Sequence, residues 1–280
     1  MAKTCSQVLA DAAQRATLSL ADESRAGIAG FILRQQQADG GFRGRSSASD
    51  LYYTYFAIQA LVALGERLPV ASLSEFLQNQ RKGGISELVN LACLACLSAR
   101  VEPDHRDDEM VQRINRFRGP DGGFREKVDS GSSSAYACFL AVQAHEAQGV
   151  ALADPGALIA ALQKMAPSVT PALAAKVTLL ACLGEVPDPS DVDLIMKRAS
   201  RKGGFKAAAL APIPDLLSTA TALCALSATD RPLDSIRDSC TEFVDTLWHD
   251  NGGFSGHWAD RTPDCEYTYY ALLSLGLLCV

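Results

Sequence analysis

The sequence predicts an all-α protein built as a closed double ring, with six inner helices surrounded by six outer ones. Three observations predict it. A Gly-Gly turn followed by an apolar residue recurs at Asp39–Arg45, Lys82–Ser86, Asp121–Glu126, Lys202–Lys206 and Asn251–His257. Its first glycines stand at 40, 83, 122, 203 and 252, and the doubled gap between the third and fourth reads as one turn lost near Met165–Ser168. Self-similarity at a period of roughly 40 residues marks a repeat architecture and outranks local signals. Each unit also pairs an amphipathic stretch before the turn with a more apolar stretch after it. Finally, no segment sustains the period-two alternation of a strand.

The elements follow in order. Asp22–Gln37 carries Arg, Glu, Gln and Asp on one face and belongs outside, whereas Leu51–Leu64 has hardly a charged position and is covered on most sides. Ser72–Gln80 and Glu87–Ala99 repeat that pair. Asp107 and Asp108 fall in a charged outer segment, and Ala135–Gln148 is the third inner helix. Pro171–Leu183 follows the lost turn, Leu216–Ala228 follows Lys202–Lys206, and the last unit runs from Leu233–Trp248 to Cys265–Leu278. The final stretch, Ala271–Val280, is strongly apolar to its end. Open solenoids cap their ends with polar repeats. A ring instead hides this end against the first unit, so Leu51–Leu64 and Cys265–Leu278 are expected in contact.

The turn has a physical purpose. Two glycines admit positive φ and a close passage between helices, and Phe42, Phe124, Phe205 and Phe254 are placed to pack beneath it. Asp50, Ser134, Asp215 and Asp264 then start inner helices, where Asp and Ser cap N-termini by accepting backbone N–H bonds. The functional alternative to capping is a mouth. Six inner-helix N-termini on one rim direct their dipoles at a common point, which suits an anion such as diphosphate.

One repeat array spans nearly the whole chain, so residues 1–280 are read as a single domain. Hydrophobic residues make up 48% of the 280, enough for a large core. A net charge of −6 argues against a nucleic-acid surface. No basic run suggests a membrane address, the N-terminal stretch lacks a signal-peptide core, and no segment offers about 20 uninterrupted apolar residues to span a bilayer. Of nine cysteines, Cys93, Cys96, Cys138, Cys182 and Cys224 lie inside apolar helices. Free buried thiols of this kind fit a reducing cytoplasm.

The pattern Gln-x-x-Asp-Gly-Gly-Phe-x-Gly-Arg at Gln36–Arg45, followed by Asp50 and Tyr53, resembles the β-subunit of protein prenyltransferases. More loosely the chain resembles the squalene and terpene cyclases, whose Gln…Gly-x-Trp element is echoed by Gln36, Gly40 and Phe42. The resemblance implies an (α/α)6 toroid with a deep apolar cavity for an isoprenoid. It also implies a helical-repeat α-subunit as partner and a zinc ion held by an Asp-x-Cys pair and a His. Position by position the chemistry thins. Asp215 is present, but Leu217 stands for the Cys and Tyr267 for the His. The basic residues that grip diphosphate are matched by Ala207, Ala208 and Ala211, and an expected Arg by Ser133, while Gly44-Arg45 survives in a different repeat. Asp215, Asp264, Cys265 and His257 lie near the same mouth and are the candidates for a rebuilt site for a divalent metal, zinc or magnesium. Asp215, Asp264 and Cys265 are also the candidate catalytic residues.

Two other chemistries are weighed on the same ring. Acid-initiated cyclases resemble one another in an Asp-x-Asp-Asp motif, and Asp191-Val192-Asp193 lacks its tail. Glycosidases use two rim carboxylates, which Asp50, Asp215, Asp264 and Glu266 are able to supply, but sugar sites favour tryptophan and this chain has only Trp248 and Trp258.

Six of the seven tyrosines fall in two helices: Tyr52, Tyr53 and Tyr55 in the first unit, and Tyr267, Tyr269 and Tyr270 in the last. A closed ring makes these helices neighbours. The tyrosines then form one wall with Phe56, offering phenols for hydrogen bonds and ring faces for an allylic chain or cation. Tyr136 and Phe139 are expected to face it. The expected ligand site is therefore Arg45, Asp50, Tyr52, Tyr53, Phe56, Tyr136, Tyr267 and Tyr270, with the mouth bounded by Asp50, Tyr53, Asp215, Asp264, Cys265 and Tyr267. The expected function is to hold an isoprenoid or similar long apolar molecule and transfer a prenyl group to a thiol or other nucleophile. A binding or scaffold protein that keeps only the ring is the competing reading.

Overall fold

The computed structural model describes residues 3–103, 106–129 and 131–279. Helix α1 (Cys5–Arg15) comes first. Each unit after it is an outer helix followed by an inner one: α2 (Asp22–Leu33) and α3 (Leu51–Ala63), α4 (Val70–Lys82) and α5 (Leu88–Val101), α6 (Asp108–Asn115) and α7 (Ala135–Ala147). Then come α8 (Pro155–Lys164) and α9 (Thr170–Cys182), α10 (Pro189–Met196) and α11 (Leu216–Ala228), and α12 (Arg237–Asp245) and α13 (Cys265–Leu278). Each inner helix packs on the next, and α13 returns to α3. The architecture is the all-α toroid. Val280, part of the apolar end that suggested closure, lies outside the described residues.

Four of the Gly-Gly turns are true copies. Gly40, Gly122, Gly203 and Gly252 have φ of 89, 90, 83 and 92°. Each lies against the next outer helix so closely that a Cβ has no room: on Gly40 it would sit 2.0 Å from the carbonyl oxygen of Ser72, and on Gly252 2.1 Å from that of Gly27. The second contact joins the last unit to α2, so the outer layer closes as well. The following phenylalanine is buried in every copy. Its N–H donates to the fourth residue of the inner helix: Phe42 to Thr54 (2.8 Å), Phe124 to Cys138 (3.2 Å), Phe205 to Thr219 (2.9 Å) and Phe254 to Thr268 (3.2 Å). Asp50, Ser134, Asp215 and Asp264 cap the same helices through their side chains.

Several details differ from expectation. The outer helices end at Leu33 and Asp245 rather than at Gln37 and Trp248, because the residues beyond them fold into the turns, as in the bridges Gln36–Phe42 and Trp248–Phe254. Two antiparallel strand pairs also exist, Phe42–Arg43 with Ser49–Asp50 and Phe205–Lys206 with Pro214–Asp215. Strands of two residues are too short to carry an alternation signal. Lys82–Ser86 is not a true copy. Gly83 has ordinary negative φ and ends α4, and Gly84 meets no neighbouring atom. Only Ser86 and Glu87 separate Ile85 from α5, too few to fold back as a strand.

The turn missing before α9 is replaced by side chains. Buried Lys176 donates to the carbonyl of Met165 at 2.8 Å and pairs with Asp191 at 2.7 Å. Arg198 holds the carbonyl of Ser168, and Thr170 N–H donates to Ala207 O at 2.7 Å.

Helix α1 belongs to no unit and closes one end of the ring. It packs on α3, α7, α9 and α13 together, near their C-termini. The backbone N–H groups of Cys5 and Ser6 donate to the Glu146 carboxylate at 2.9 and 3.0 Å. This acceptor sits where a helix N-terminus favours negative charge. Arg15 donates to the carbonyl of Gly276 (3.2 Å), and a Cβ on Gly276 would sit 1.8 Å from Ala12 O. The repeats lead to no expectation of this plug. The open end is the rim of inner-helix N-termini.

Candidate functional site

The ring encloses a cavity of about 500 Å³ above α1. Its wall follows one rule. From the inner helices, the second, fifth, sixth and ninth residues supply most of the lining, as Tyr52, Tyr55 and Phe56 do on α3 and Tyr136, Phe139, Leu140 and Gln143 on α7, while Gln59, Ala220 and Glu266 hold such positions without lining it. The steps of three, four and seven residues mark one face of an α-helix. Leu9 of α1 reaches the cavity from the plug.

On one side the lining is aromatic. Phe56 contacts Tyr52, Tyr55, Tyr269 and Tyr270, with ring centroids 4.9, 5.3, 5.7 and 5.3 Å away. On the other side α9 presents Pro171, Ala172, Ala174 and Ala175, and α11 presents Leu217, Thr221 and Cys224. Among the described residues that line the cavity, none is Lys, Arg or His, and the one carboxylate is Glu126.

Glu266 is the second residue of α13 and so shares the rim position of Tyr52 and Tyr136. Tyr52 donates its hydroxyl to Glu266 Oε1 at 2.7 Å. Burial pushes the Glu266 carboxyl up to about 7, although the Tyr52 bond works against the shift by favouring the anion. The sequence placed Glu266 only among the rim carboxylates. The signal that singles it out is its helix position, two residues from the cap and in register with the inward-facing tyrosines.

The expected site residues divide by helix face. Tyr52, Phe56, Tyr136 and Tyr270 line the cavity, together with Tyr55, Tyr269 and Phe139. Of the six residues expected to bound the mouth, none lines it. Asp50, Asp215 and Asp264 turn back to cap their own helices, accepting from the N–H groups of Tyr53, Ser218 and Tyr267 at 2.7, 2.7 and 2.9 Å. Burial raises the carboxyl pKa of all three. Tyr53 and Tyr267, third in their helices, lie instead against Gly44 and Gly256 of the rim loops, with burial pushing their phenols up to about 12. Cys265, first in α13, is fully buried. Its thiol donates to the carbonyl of Arg43 (3.9 Å), and burial raises its pKa.

Arg45 joins the two ends of the ring at the rim. It pairs with Asp264 at 3.0 Å and with Asp260, and its guanidinium lies 5.5 Å from the centre of the Tyr267 ring. An Arg with two carboxylates already on it is poorly placed to grip a diphosphate.

The donor set for a metal does not assemble. Among the described residues no three His, Cys, Asp or Glu side chains are placed to hold an ion. Asp264 faces Arg45, Asp215 accepts from Ser218 Oγ at 2.8 Å, Cys265 points at backbone, and His257 Nδ1 accepts from the N–H of Ala259 (3.2 Å). The zinc or magnesium site expected from these four residues is therefore not formed by this arrangement. Among the described residues, no helix is long and apolar enough to cross a membrane.

Comparisons with known proteins agree with this fold. The chain matches the prenyltransferase alpha-alpha toroid domain over residues 6–90 and 176–280, and it belongs to that family. No curated protein sequence matches it. Among solved structures it is similar to the type II terpene cyclase MstE from Scytonema, with a TM-score of 0.62 at 15% identity, covering 92% of this chain and 96% of that one. A variant of that cyclase in complex with geranylgeranyl dihydroxybenzoate gives 0.59 at 11% identity, with coverages of 96% and 97%. Protein geranylgeranyltransferase-I from Candida albicans, complexed with GGPP, gives 0.56 at 12% identity, with coverages of 76% and 92%.

Proposed function

We propose that this prenyltransferase toroid binds an isoprenoid or comparable long apolar molecule in its central cavity, and that Glu266 delivers a proton to it at the mouth. The observation that carries the reading is an aromatic-walled cavity with a raised-pKa carboxyl at its rim, bonded to Tyr52. Burial of an apolar chain contributes about 0.8 kcal/mol per methylene, so ten carbons supply several kcal/mol. A carboxyl titrating near 7 is a competent general acid at neutral pH. Protonation of an alkene leaves a carbocation and the Glu266 carboxylate, and the ring faces of Tyr52, Phe56 and Tyr270 attract the positive charge. Return of a proton from the cation to that carboxylate gives the neutral isomerised or cyclised alkene.

Departure of diphosphate has less support. No cation lines the cavity among the described residues, and Arg45 is already paired with Asp260 and Asp264. That two solved structures of the same fold hold geranylgeranyl compounds supports the class of chain.

The test compares wild type with Glu266→Gln. Both are expected to bind a fluorescent farnesyl analogue with affinities within about threefold, since the substitution keeps the shape. Only wild type is expected to turn farnesol into isomerised or cyclised products, followed by gas chromatography. Release of diphosphate from farnesyl diphosphate, undiminished in Glu266→Gln, would move the protein to prenyl transfer and make a helical-repeat subunit the partner to seek by co-purification. If no chain binds, the toroid is a scaffold.

A further inference from the structure

The deepest layer of the cavity is polar on one side. Gln143 of α7 and Thr178 of α9 are each the ninth residue of their helix, on neighbouring members of the ring, and both line the cavity. They are 5% and 3% exposed. Neither side chain has a hydrogen-bond partner among the described residues. The other inward polar groups are mixed: the hydroxyls of Tyr136, Tyr269 and Tyr270, on the aromatic side, also have no hydrogen-bond partner among the described residues, whereas two others are satisfied. Thr221 of α11, one layer higher, donates to the carbonyl of Leu217 at 2.8 Å, and Tyr52 donates to Glu266. Buried amides and hydroxyls almost always have a partner, and one left without it is costly and calls for explanation. Here both groups open onto the same empty space. Apolar side chains at these two positions would suit a purely hydrocarbon guest better.

We propose that Gln143 and Thr178 bind a neutral oxygen function, a hydroxyl or carbonyl, carried on the deep end of an isoprenoid chain. This rests on the reading that an isoprenoid occupies the cavity and names which kind. Both side chains donate and accept, so they match an alcohol or a ketone equally. A carboxylate or phosphate does not fit, because the lining offers no cation among the described residues. The seven residues between the rim layer and this one, at about 1.5 Å each, separate Glu266 from the floor by about 10 Å. The chain therefore enters oxygen first and leaves a distal double bond near Glu266. The class of substrate is a prenol or prenyl ketone, with the oxygen as the anchor and the alkene as the reacting group.

The experiment uses the whole chain and three probes of one length: farnesol, its aldehyde farnesal and the corresponding hydrocarbon without oxygen. Affinities are measured by displacement of a fluorescent farnesyl analogue. Wild type is expected to bind the two oxygenated chains about tenfold more tightly than the hydrocarbon, as one or two buried hydrogen bonds supply. Gln143→Met with Thr178→Val, which keep size and lose the hydrogen bonds, is expected to erase that difference. Thr178→Ser in place of Val is expected to restore part of it. Infrared spectra of carbonyl-labelled farnesal should show a downshifted C=O stretch in wild type and a free one in the double variant. Equal binding of alcohol and hydrocarbon to wild type would overturn the proposal while leaving isoprenoid binding intact, as would an unshifted carbonyl. Failure of all three probes to bind would overturn the isoprenoid reading and this proposal with it.

Discussion

The two walls of the cavity stand on the same register and differ in nearly every side chain. Helices α3 and α13 place Tyr52, Tyr55, Phe56, Tyr269 and Tyr270 toward the axis. At corresponding positions α9 and α11 place Pro171, Ala174, Ala175, Leu217 and Thr221. One wall fills the ring and the other hollows it. The backbone repeat thus sets where a side chain points, while the residue chosen at four positions per helix sets whether there is room for a guest. A closed ring of equal units would have a packed axis or an open hole. This one has an offset cavity because its bulk is unequal from unit to unit.

The aromatic wall should be the one that bears stability. Phe56→Ala removes a ring that touches four others and is expected to destabilise by about 3 kcal/mol, against about 1 kcal/mol for Leu217→Ala on the hollow wall, read by chemical denaturation. Equal losses would mean that the hollow wall is packed after all.

Ligand binding should depend on the opposite side. Ala175→Phe directs a phenyl group into the open volume, where little has to move, so the melting temperature should stay within a few degrees. Affinity for the farnesyl analogue should fall about 100-fold or more. Unchanged binding would place the chain elsewhere.

The smallest effect lies at the rim, where the walls meet. Glu266 titrates near 7 in the folded protein and at 4.5 ordinarily. Between these values the native state holds a proton that the unfolded chain has released, so stability falls as pH rises through the window. Allowing for its partial exposure, the loss from pH 4.5 to 7.5 is on the order of 2 kcal/mol. Glu266→Gln should flatten that part of the pH profile in thermal melts. An unaltered slope would mean that Glu266 titrates as an ordinary surface carboxyl.

Much of the fold was legible because the turn repeats its own mechanism. Phe42, Phe124, Phe205 and Phe254 sit under glycines with positive φ, and each copy reports the same local geometry. Where only part of that pattern was present the reading failed. Lys82–Ser86 has the glycines but lacks the long return segment. Before α9 the turn is lost, as the doubled glycine spacing indicated, and Lys176 and Arg198 hold the loop. Helix α1 stayed invisible as a plug because its partners, such as Glu146 and Gly276, are more than 100 residues away in the chain. The tyrosine clusters on α3 and α13 were visible as composition, yet the expectation mixed inward Tyr52 and Tyr270 with Tyr53 and Tyr267, which face the rim loops.

The sequence by itself therefore determined the all-α repeat, the pairing of outer with inner helices and the caps at Asp50, Ser134, Asp215 and Asp264. These depend on contacts within one unit or between neighbours and recur in the letters of the chain. Only the tertiary structure decided that α1 seals one end and that Arg45 belongs to Asp260 and Asp264. It alone showed that Cys265 is core, that Gln143 and Thr178 line the deep end of the cavity, and that Glu266 is bonded to Tyr52 at the rim. The reason is physical. Which face of an inner helix meets open space depends on the five other helices and the plug around it, and no local pattern of residues records that.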